Sequence, residues 1–409
     1  MGELEPAGPT PAGPTPAGIA DARRILAPVL RATPSYLSQG VGHRVDREVW
    51  LKPEFRQRTG SFKIRGAYLM QSRLPAGADI VAASAGNHAQ GVALAAALLG
   101  QQATIYMPTN ASLPKVQATR AYGARVVLDG DTVDECIDAA RRHAAADDAV
   151  FVPPFDHTDI VLGQSTIGAE LVEEVPGLAN VLVAVGGGGL CAGVAAAVRI
   201  ARPSVRVVGV AAEGAASIVG SLAAGHPVAV DPHTLADGIA LRAPSQLTLD
   251  LIAANVHEIV TVPDGQISAA MLLLVERAKA VVEPAGAAAL AALLDGVELA
   301  PGPTAVVVGG GNVDPLLLTK LIEHGLGVAG RFLVMRVVMP DRPGSLSGLT
   351  EEIARLRLNV LDVEHHRSGR RLPVGAVEVQ LTVETRDHDH RVEVLGALGA
   401  RGYEVELVE

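Results

Sequence analysis

Residues 181–200 read VLVAVGGGGLCAGVAAAVRI, which places an apolar run, a glycine run and an alanine-rich run in direct succession. The apolar run predicts a strand over Val181–Val185, and the alanine-rich run predicts a helix. A strand without polar alternation is typical of a parallel sheet that is covered on both faces. The bare amides of residues 186–189 would then lie at a helix N-terminus, where they can hold a phosphate without a cationic side chain.

The same alternation continues on both sides of this unit, from about Ile19 to Gly327. Further strands are predicted at Ile80–Ala83, Ala103–Met107, Arg125–Leu128, Val205–Val210 and Ala305–Val308. Helices are predicted at Leu113–Tyr122, Val133–Ala145, Thr166–Glu174 and Pro315–Glu323. The pattern indicates an α/β fold in which loops at the C-terminal ends of the strands bind the ligand.

A second pattern begins near Phe332 and predicts the β-α-β-β-α-β order of a ferredoxin-like unit. The predicted elements are strand Phe332–Met339, a turn at 341–344, helix Ser347–Leu358 capped by Ser345, strand Asn359–His365, a polar hairpin Arg367–Arg371, strand Ala376–Val383, helix His390–Leu398 and strand Tyr403–Val408. We expect a linker in the glycine-rich stretch 325–330. The expected domains are a flexible Pro/Gly/Ala tail at 1–18, a main domain at 19–327 with a smaller subdomain at about 60–155, and a second domain at 331–409.

Composition restricts the partners of the chain. The formal net charge of −10 over 409 residues argues against nucleic acid and anionic membranes as general partners. The two cysteines, Cys136 and Cys191, make neither a disulfide framework nor a zinc site and indicate free thiols in a reducing compartment. The N-terminus has no signal-peptide pattern, and the longest apolar stretch, Val92–Leu99, is too short for a bilayer. We therefore expect a cytoplasmic protein.

Lys63 stands out among the few lysines because of its context. It lies in TGSFKIRGA, residues 59–67, among small and apolar residues rather than charge partners. Desolvation disfavours the ammonium form, so a lysine in such a setting can lose its proton near neutral pH, as a Schiff-base lysine must. The alternative is an ordinary solvated lysine, which is the common case for this residue type.

Two more loops follow predicted strands, namely SAGNH at 84–88 and GGGNVD at 309–314. Ser84 and the amides at a helix start suit a carboxylate, while Asn87 can hydrogen-bond a phenolic oxygen. His88 taken alone is more typical of a structural histidine at a helix start than of a base. Each loop is ordinary by itself, whereas their combination with the lysine and the tetraglycine loop is not.

The tetraglycine loop also allows two other interpretations. Gly187, Gly189 and Ala192 fit the dinucleotide fingerprint G-x-G-x-x-A, and Glu213 follows at about the distance expected for the ribose-binding acid. This interpretation would make the chain an NAD-dependent dehydrogenase. A tight strand-to-helix turn without a ligand is the other alternative.

The motifs together resemble a known family. They are TGSFKIRGA at 59–67, SAGNHAQGVA at 84–93, GGGGL at 186–190, EPAGA at 283–287 and GGGNVD at 309–314. In this order, from about Thr33 to Gly327, they resemble the threonine and serine dehydratases, which are pyridoxal-phosphate enzymes of fold type II, the tryptophan-synthase-β-like fold of two open twisted sheets flanked by helices. DRPGSL at 341–346 resembles an ACT domain, a module that binds amino acids.

The resemblance implies an activity and roles for individual residues. It implies pyridoxal 5'-phosphate as cofactor, threonine ammonia-lyase activity giving 2-oxobutanoate as the first step toward isoleucine, an allosteric ACT domain and a homotetramer.

Lys63 would be the Schiff-base lysine, and the phosphate would rest on the amides of Gly186, Gly187, Gly188, Gly189 and Leu190. Phe62, Asn87, Gly238, Glu283 and Gly309 would complete the cofactor site, with Asn87 at the phenolic oxygen. Ser84, Ala85, Gly86, Asn87 and His88 would surround the substrate carboxylate. Isoleucine or valine would bind at Asp341, Arg342, Pro343, Gly344, Ser345 and Leu346.

The chain departs from the family at two positions. Gly309 stands where the family usually has a serine that contacts the pyridine nitrogen, which leaves that partner open. Ala85 stands where related racemases have a serine as second base, which argues against racemisation. Around Glu213 there is no acidic partner of the kind that completes a divalent-cation site in some relatives, so no metal is expected. A serine-preferring dehydratase, a non-catalytic amino-acid sensor and an ACT domain that only dimerises remain open.

Overall fold

The computed structural model describes residues 13–367 and 372–408, and the chain divides into two compact units between Thr319 and Lys320. The helices are α1 (Pro16–Leu26), α2 (Gln39–Val45), α3 (Lys63–Ser72), α4 (Asn87–Leu99), α5 (Leu113–Ala121), α6 (Val133–Ala146), α7 (Thr158–Glu174), α8 (Gly189–Ala201), α9 (Ser217–Ala224), α10 (Gln246–Asn255), α11 (Asp264–Leu273), α12 (Pro284–Leu294), α13 (Pro315–Val328), α14 (Ser345–Arg355) and α15 (His388–Ala400). The strands are β1 (Tyr36–Leu37), β2 (Val49–Pro53), β3 (Asp79–Ala83), β4 (Gln102–Met107), β5 (Arg125–Leu128), β6 (Val150–Phe151), β7 (Asn180–Ala184), β8 (Arg206–Ala212), β9 (Glu258–Val262), β10 (Thr304–Val308), β11 (Phe332–Pro340), β12 (Val360–His366), β13 (Ala376–Glu384) and β14 (Glu404–Leu407). None of these helices is long and apolar enough to cross a membrane.

The first unit contains two sheets. The larger has the strand order β1-β2-β10-β7-β8-β9 and is parallel except for the β1–β2 pair. The smaller has the order β5-β4-β3-β6 and is parallel throughout. Every residue of β7 and β10 is buried, as expected for strands covered on both faces. The predicted α/β fold is therefore confirmed.

Three of the predicted loops start where strands of these sheets end. Ser84 follows β3, Val185 follows β7 and Gly309 follows β10, and α3 with Lys63 at its first position follows β2 through two short 3-10 helices. Carboxyl ends of parallel strands meet at one edge of a sheet, where open α/β sheets bind their ligands. The predicted motifs therefore lie at the carboxyl-end edges of both sheets, Ser84 at that of the smaller sheet and Val185 and Gly309 at that of the larger.

Buried ion pairs connect β2, α3 and α7. Arg65 pairs with Glu54 at 2.8 Å and with Glu170 at 2.6 Å. Lys52 pairs with Glu170 at 2.7 Å and with Glu174 at 2.8 Å, and its side chain is completely buried. Buried charges are tolerated only when they are paired and hydrogen-bonded. The network therefore anchors α3 two residues beyond Lys63.

Helix α7 begins eight residues before the predicted start at Thr166. The side chain of His157 accepts a hydrogen bond from the amide of Asp159 and caps the helix. Gly163 lies within the first turns of α7. A side chain is excluded there, because a Cβ would come within 2.6 Å of the Cα of Gly66. The glycine serves the close packing of α3 on α7 and does not break the helix.

Several shorter elements and boundaries also differ from the predictions. Strands β1, β2, β6 and β9 were not predicted. Strands β1 and β6 have only two residues each, whereas β2 and β9 carry polar residues. Residues 16–18, assigned to the flexible tail, form the first turn of α1, where the hydroxyl of Thr15 accepts from the amide of Gly18. Residues 1–12 of the predicted tail lie outside the described residues.

The second unit is built on one antiparallel sheet with the order β12-β13-β11-β14. Alternate residues of β11 and β13 are buried, among them Leu333, Met335 and Leu381, and they pack with Leu349 of α14 and Leu398 of α15. The chain order and strand order are those of the predicted ferredoxin-like unit, which is confirmed.

Two local predictions for this region were wrong. Gly344 with φ +91° occupies the cap position of α14, so Ser345 is the first helical residue and not the cap. Helix α13 continues to Val328 through part of the predicted 325–330 linker, with Gly325 buried inside the helix. Of the predicted Arg367–Arg371 hairpin, residues 368–371 lie outside the described residues.

Candidate active site

Three of the glycine and lysine motifs meet at Gly309. A Cβ at this position would lie 3.4 Å from the ring of Phe62 and 3.7 Å from Cδ2 of Leu190. The amide of Phe62 also donates to the main-chain oxygen of Gly309 at 3.1 Å. The lysine motif, the tetraglycine loop and the third glycine loop therefore form one site. The ordinary contact distances leave room for a small side chain at Gly309.

Lys63 occupies the first position of α3 and is half-buried. Its Nζ donates to the main-chain oxygen of Pro154 at 3.0 Å and lies 5.2 Å from the ring centre of Phe62. Burial lowers the pKa of Lys63 to about 8, and Glu283 opposes this effect. About a tenth of the molecules thus carry a neutral Lys63 amine at pH 7, far more than for a solvated lysine, in the direction that the sequence context predicted.

The tetraglycine loop leads directly into α8. Gly188 has φ +91° at the cap position, and Thr248 donates its buried hydroxyl to the main-chain oxygen of Gly187 at 2.7 Å. A Cβ on Gly187 would lie 2.3 Å from the ring of Phe155. The loop is held by these contacts and has no space for side chains. Its amides and the start of α8 form a cradle suited to a phosphate.

A chain of side-chain amides faces the same site. Asn87 donates from Nδ2 to Oε1 of Glu283 at 2.6 Å and accepts from Nδ2 of Asn312 at 2.8 Å. Burial, with a smaller contribution from Asp237, raises the pKa of Glu283 to about 7, and the hydrogen bond from Asn87 opposes both causes. A Cβ on Gly238 would lie 3.9 Å from Oε1 of Glu283, which places this glycine beside the carboxyl group.

The loop at 84–88 lies at the N-terminus of α4. Ser84 accepts from the amide of Gly86 at 3.1 Å, and residues 84–87 are half-buried. His88 is buried, and its Nε2 lies 2.9 Å from the main-chain oxygen of Val152. Burial and then Lys63 lower the pKa of His88 to about 3, so the imidazole is neutral and donates to that oxygen. The His88 ring therefore has a structural contact. The amides of Ser84 and Gly86 donate to Tyr106 and Ser84, so the amides of Ala85, Asn87 and His88 are the ones that suit a substrate carboxylate.

The structure thus brings together the predicted residues of the first unit. Asp341–Leu346 lie in the second unit, as an exposed turn and the first residues of α14. The residues that sequence reasoning missed are Pro154, Phe155, Thr248 and Asn312. Only Asn312 carried a signal, because it lies in the third glycine motif.

These residues fit pyridoxal phosphate. The cradle of residues 186–189 matches the phosphate, and the amine of Lys63 with its lowered pKa matches the aldehyde. The side-chain amide of Asn87 can hydrogen-bond a polar substituent of an aromatic ring. A family model described as pyridoxal-phosphate dependent enzyme matches residues 26–310.

The chain belongs to this family. It is a pyridoxal-phosphate-dependent lyase, and an ACT domain model matches its residues 334–403. The interpretation of Gly187, Gly189 and Ala192 as a dinucleotide fingerprint was therefore wrong, because the glycines belong to a phosphate loop of a different cofactor fold.

Two relatives of nearly the same length are both named L-threonine ammonia-lyase. The chain is 42% identical to an L-threonine ammonia-lyase of Thermotoga maritima over 95% of this chain and 98% of that protein. It is also 42% identical to an L-threonine ammonia-lyase of Geobacter sulfurreducens over 96% of this chain and 98% of that protein. The solved structure of the processed form of threonine deaminase isoform 2 from Solanum lycopersicum is 35% identical, covers 79% of this chain and 92% of its own, and superimposes with a TM-score of 0.71.

Proposed function

We propose that this enzyme is a threonine ammonia-lyase that eliminates water from L-threonine, and also from L-serine, to release 2-oxobutanoate or pyruvate with ammonia. The observation that carries the proposal is the position of the Lys63 amine, which has a lowered pKa and lies within the site that the glycine motifs form. The names of the two full-length relatives support the same activity.

Different residues of the chain contribute to different steps of the reaction. Bound pyridoxal phosphate supplies an electron sink for the pair left when the Cα proton departs. The amides of Ala85, Asn87 and His88, at the start of α4, bind the substrate carboxylate and orient the Cα–H bond. The neutral amine of Lys63 accepts that proton, a role that a pKa of about 8 supports because it lies near neutral pH. The β-hydroxyl takes up a proton, for which the phosphate of bound pyridoxal phosphate would be the donor, and leaves as water. The released enamine then hydrolyses to the keto acid and ammonia.

An absorption spectrum and a product assay test this proposal. The purified full-length enzyme with pyridoxal phosphate should show a visible band that borohydride abolishes, and should form 2-oxobutanoate from threonine. A band without keto acid from either threonine or serine would instead identify a non-catalytic amino-acid sensor. The ratio of kcat/KM for threonine and serine separates the two dehydratase preferences, since one methyl group contributes only about 1–3 kcal/mol in a pocket.

We further propose that the turn Asp341–Leu346 binds isoleucine or valine and that the enzyme works as a cytoplasmic homotetramer. The turn is exposed, and Asp341 lies 3.8 Å from Arg367. Calorimetric titration of the full chain should give heat with one of these amino acids, and Asp341→Ala should weaken it. Asp389→Ala, an exposed acid at the start of α15, is the matched control. An ACT domain that only dimerises would give no heat, and light scattering reports the assembly.

A further inference from the structure

We propose that Asn312 is a positioning residue that fixes the orientation of the Asn87 side-chain amide toward the cofactor. The proposal rests on the assignment of Asn87 to the pyridoxal-phosphate site. The side-chain amide of Asn312 joins Asn87 to the main chain of the lysine motif.

The hydrogen bonds form a directed relay. Nδ2 of Asn312 donates to the main-chain oxygen of Thr59 at 2.6 Å and to Oδ1 of Asn87 at 2.8 Å. Nδ2 of Asn87 donates in turn to Oε1 of Glu283 at 2.6 Å. The relay thus runs from a carbonyl four residues before Lys63 to a carboxyl group beside Gly238.

The direction of this relay is set by the Thr59 carbonyl. A main-chain oxygen can only accept, so the side-chain group of Asn312 that faces it must be the NH2 group. The second hydrogen of that group needs an acceptor, which places Oδ1 of Asn87 toward Asn312. The amide nitrogen of Asn87 must then point to Glu283 and to the side of the site that receives the ring.

The glycines on both sides leave space for the relay. A Cβ on Gly60, which has φ +70°, would lie 2.3 Å from Oδ1 of Asn312. A Cβ on Gly310 would lie 2.0 Å from Oε1 of Glu283 and 3.0 Å from Nδ2 of Asn87. Side chains at Gly60 or Gly310 would therefore displace relay atoms.

Removal of the Asn312 amide changes what Asn87 presents. Without a donor at Oδ1, the Asn87 amide can rotate and turn its oxygen toward Glu283 and the ring side of the site. An oxygen there repels an ionised carboxylate and a phenolate oxygen, whereas an NH2 group stabilises both. Cofactor affinity and the titration of Glu283 should therefore depend on Asn312, although Asn312 itself is not a catalytic residue.

A double-mutant cycle on the full-length enzyme tests the proposal. The dissociation constant of pyridoxal phosphate is measured by absorbance titration of the cofactor-free wild type, Asn312→Ala, Asn87→Ala and the double variant. We expect Asn312→Ala to weaken binding about 3- to 10-fold, the range for one lost hydrogen bond. In the Asn87→Ala background the same change should have less than about a 2-fold effect. Equal effects of Asn312→Ala in both backgrounds would overturn the proposal.

Two further measurements separate positioning from a general loss of structure. Asn312→Ser repeats the cycle if Asn312→Ala does not fold, and the melting temperature of each cofactor-free variant reports its fold. Asn255→Ala is the matched control, because this side chain donates to the main-chain oxygen of Leu251 at 2.8 Å and has no contact with Asn87. We expect Asn312→Ala to move the pH dependence of the cofactor band to higher pH and Asn255→Ala to leave it unchanged. A wild type without affinity for pyridoxal phosphate would overturn the functional assignment itself, which is a different outcome.

Discussion

Nζ of Lys63 donates to the main-chain oxygen of Pro154 at 3.0 Å, and the next residue, Phe155, places its ring against Gly187. The amine and the phosphate cradle are thereby connected through two consecutive residues. A neutral amine that donates one hydrogen has its lone pair directed away from the acceptor, so this contact orients the nucleophile. The two contacts hold the amine and the phosphate cradle close enough to bind the aldehyde and the phosphate of the same cofactor molecule.

The reaction of Lys63 with pyridoxal phosphate should follow the titration of its amine. With a pKa of about 8, the neutral fraction rises roughly tenfold between pH 7 and pH 9 and then levels off. The rate at which the visible band appears after mixing with cofactor-free enzyme measures this dependence. A rate that keeps rising tenfold per pH unit beyond pH 9 would indicate an ordinary solvated lysine. Lys63→Ala should form no band, whereas Lys320→Ala, at an exposed lysine, should behave as wild type.

Glu283→Gln should change the pH dependence of stability. The carboxyl group titrates near 4.5 in the unfolded chain and at about 7 in the folded protein, so the folded state keeps a proton that the unfolded state releases. Stability is therefore lost as pH rises from 4.5 to 7, by about 3 kcal/mol, and glutamine lacks this loss. Unfolding of the cofactor-free proteins across this window measures the difference between variant and wild type. Glu298→Gln, at an exposed site, should give a constant difference.

Gly188→Ala should weaken cofactor binding. Gly188 has φ +91°, and a Cβ there would lie 2.9 Å from Cβ of Thr248, so alanine is strained in both backbone and packing. We expect a loss of about 1–3 kcal/mol in stability and at least roughly a tenfold increase in the dissociation constant of pyridoxal phosphate. Gly220→Ala, in α9 with nothing near its Cβ, is the control and should be neutral or stabilising. Equal cofactor affinity of the two variants would argue against the phosphate cradle.

Arg65→Ala should be strongly destabilising. The substitution leaves the buried Glu54 without its cation and Glu170 with Lys52 alone, and breaking one side of a buried ion pair costs about 3–5 kcal/mol. Arg23→Ala removes an exposed pair with Glu173 and should cost less than about 1 kcal/mol. Denaturant unfolding of the cofactor-free proteins compares the two. Similar costs would show that the buried network does not anchor α3.

Local patterns predicted most of the framework. The strands around residues 80–83 and 305–308 were visible because buried parallel strands are continuous apolar runs. The start of α7 was predicted eight residues too late. Gly163 lies inside this helix because it allows close packing on α3, which the local sequence pattern does not show. The cap of α14 was misplaced for a related reason, since the left-handed Gly344 stands next to a serine that has the usual chemistry of a cap.

The sequence by itself determined the fold class, the two-part organisation and the motif that contains the reactive lysine, because these depend on the periodicity and composition of neighbouring residues. Only the tertiary structure decided which groups surround that lysine. Asn87 meets Glu283 and Asn312 across separations of 196 and 225 residues, and His88 meets Val152 across 64 residues. Hydrogen-bond direction and desolvation depend on such distant neighbours, and these two quantities set the pKa values and the amide orientation of the site.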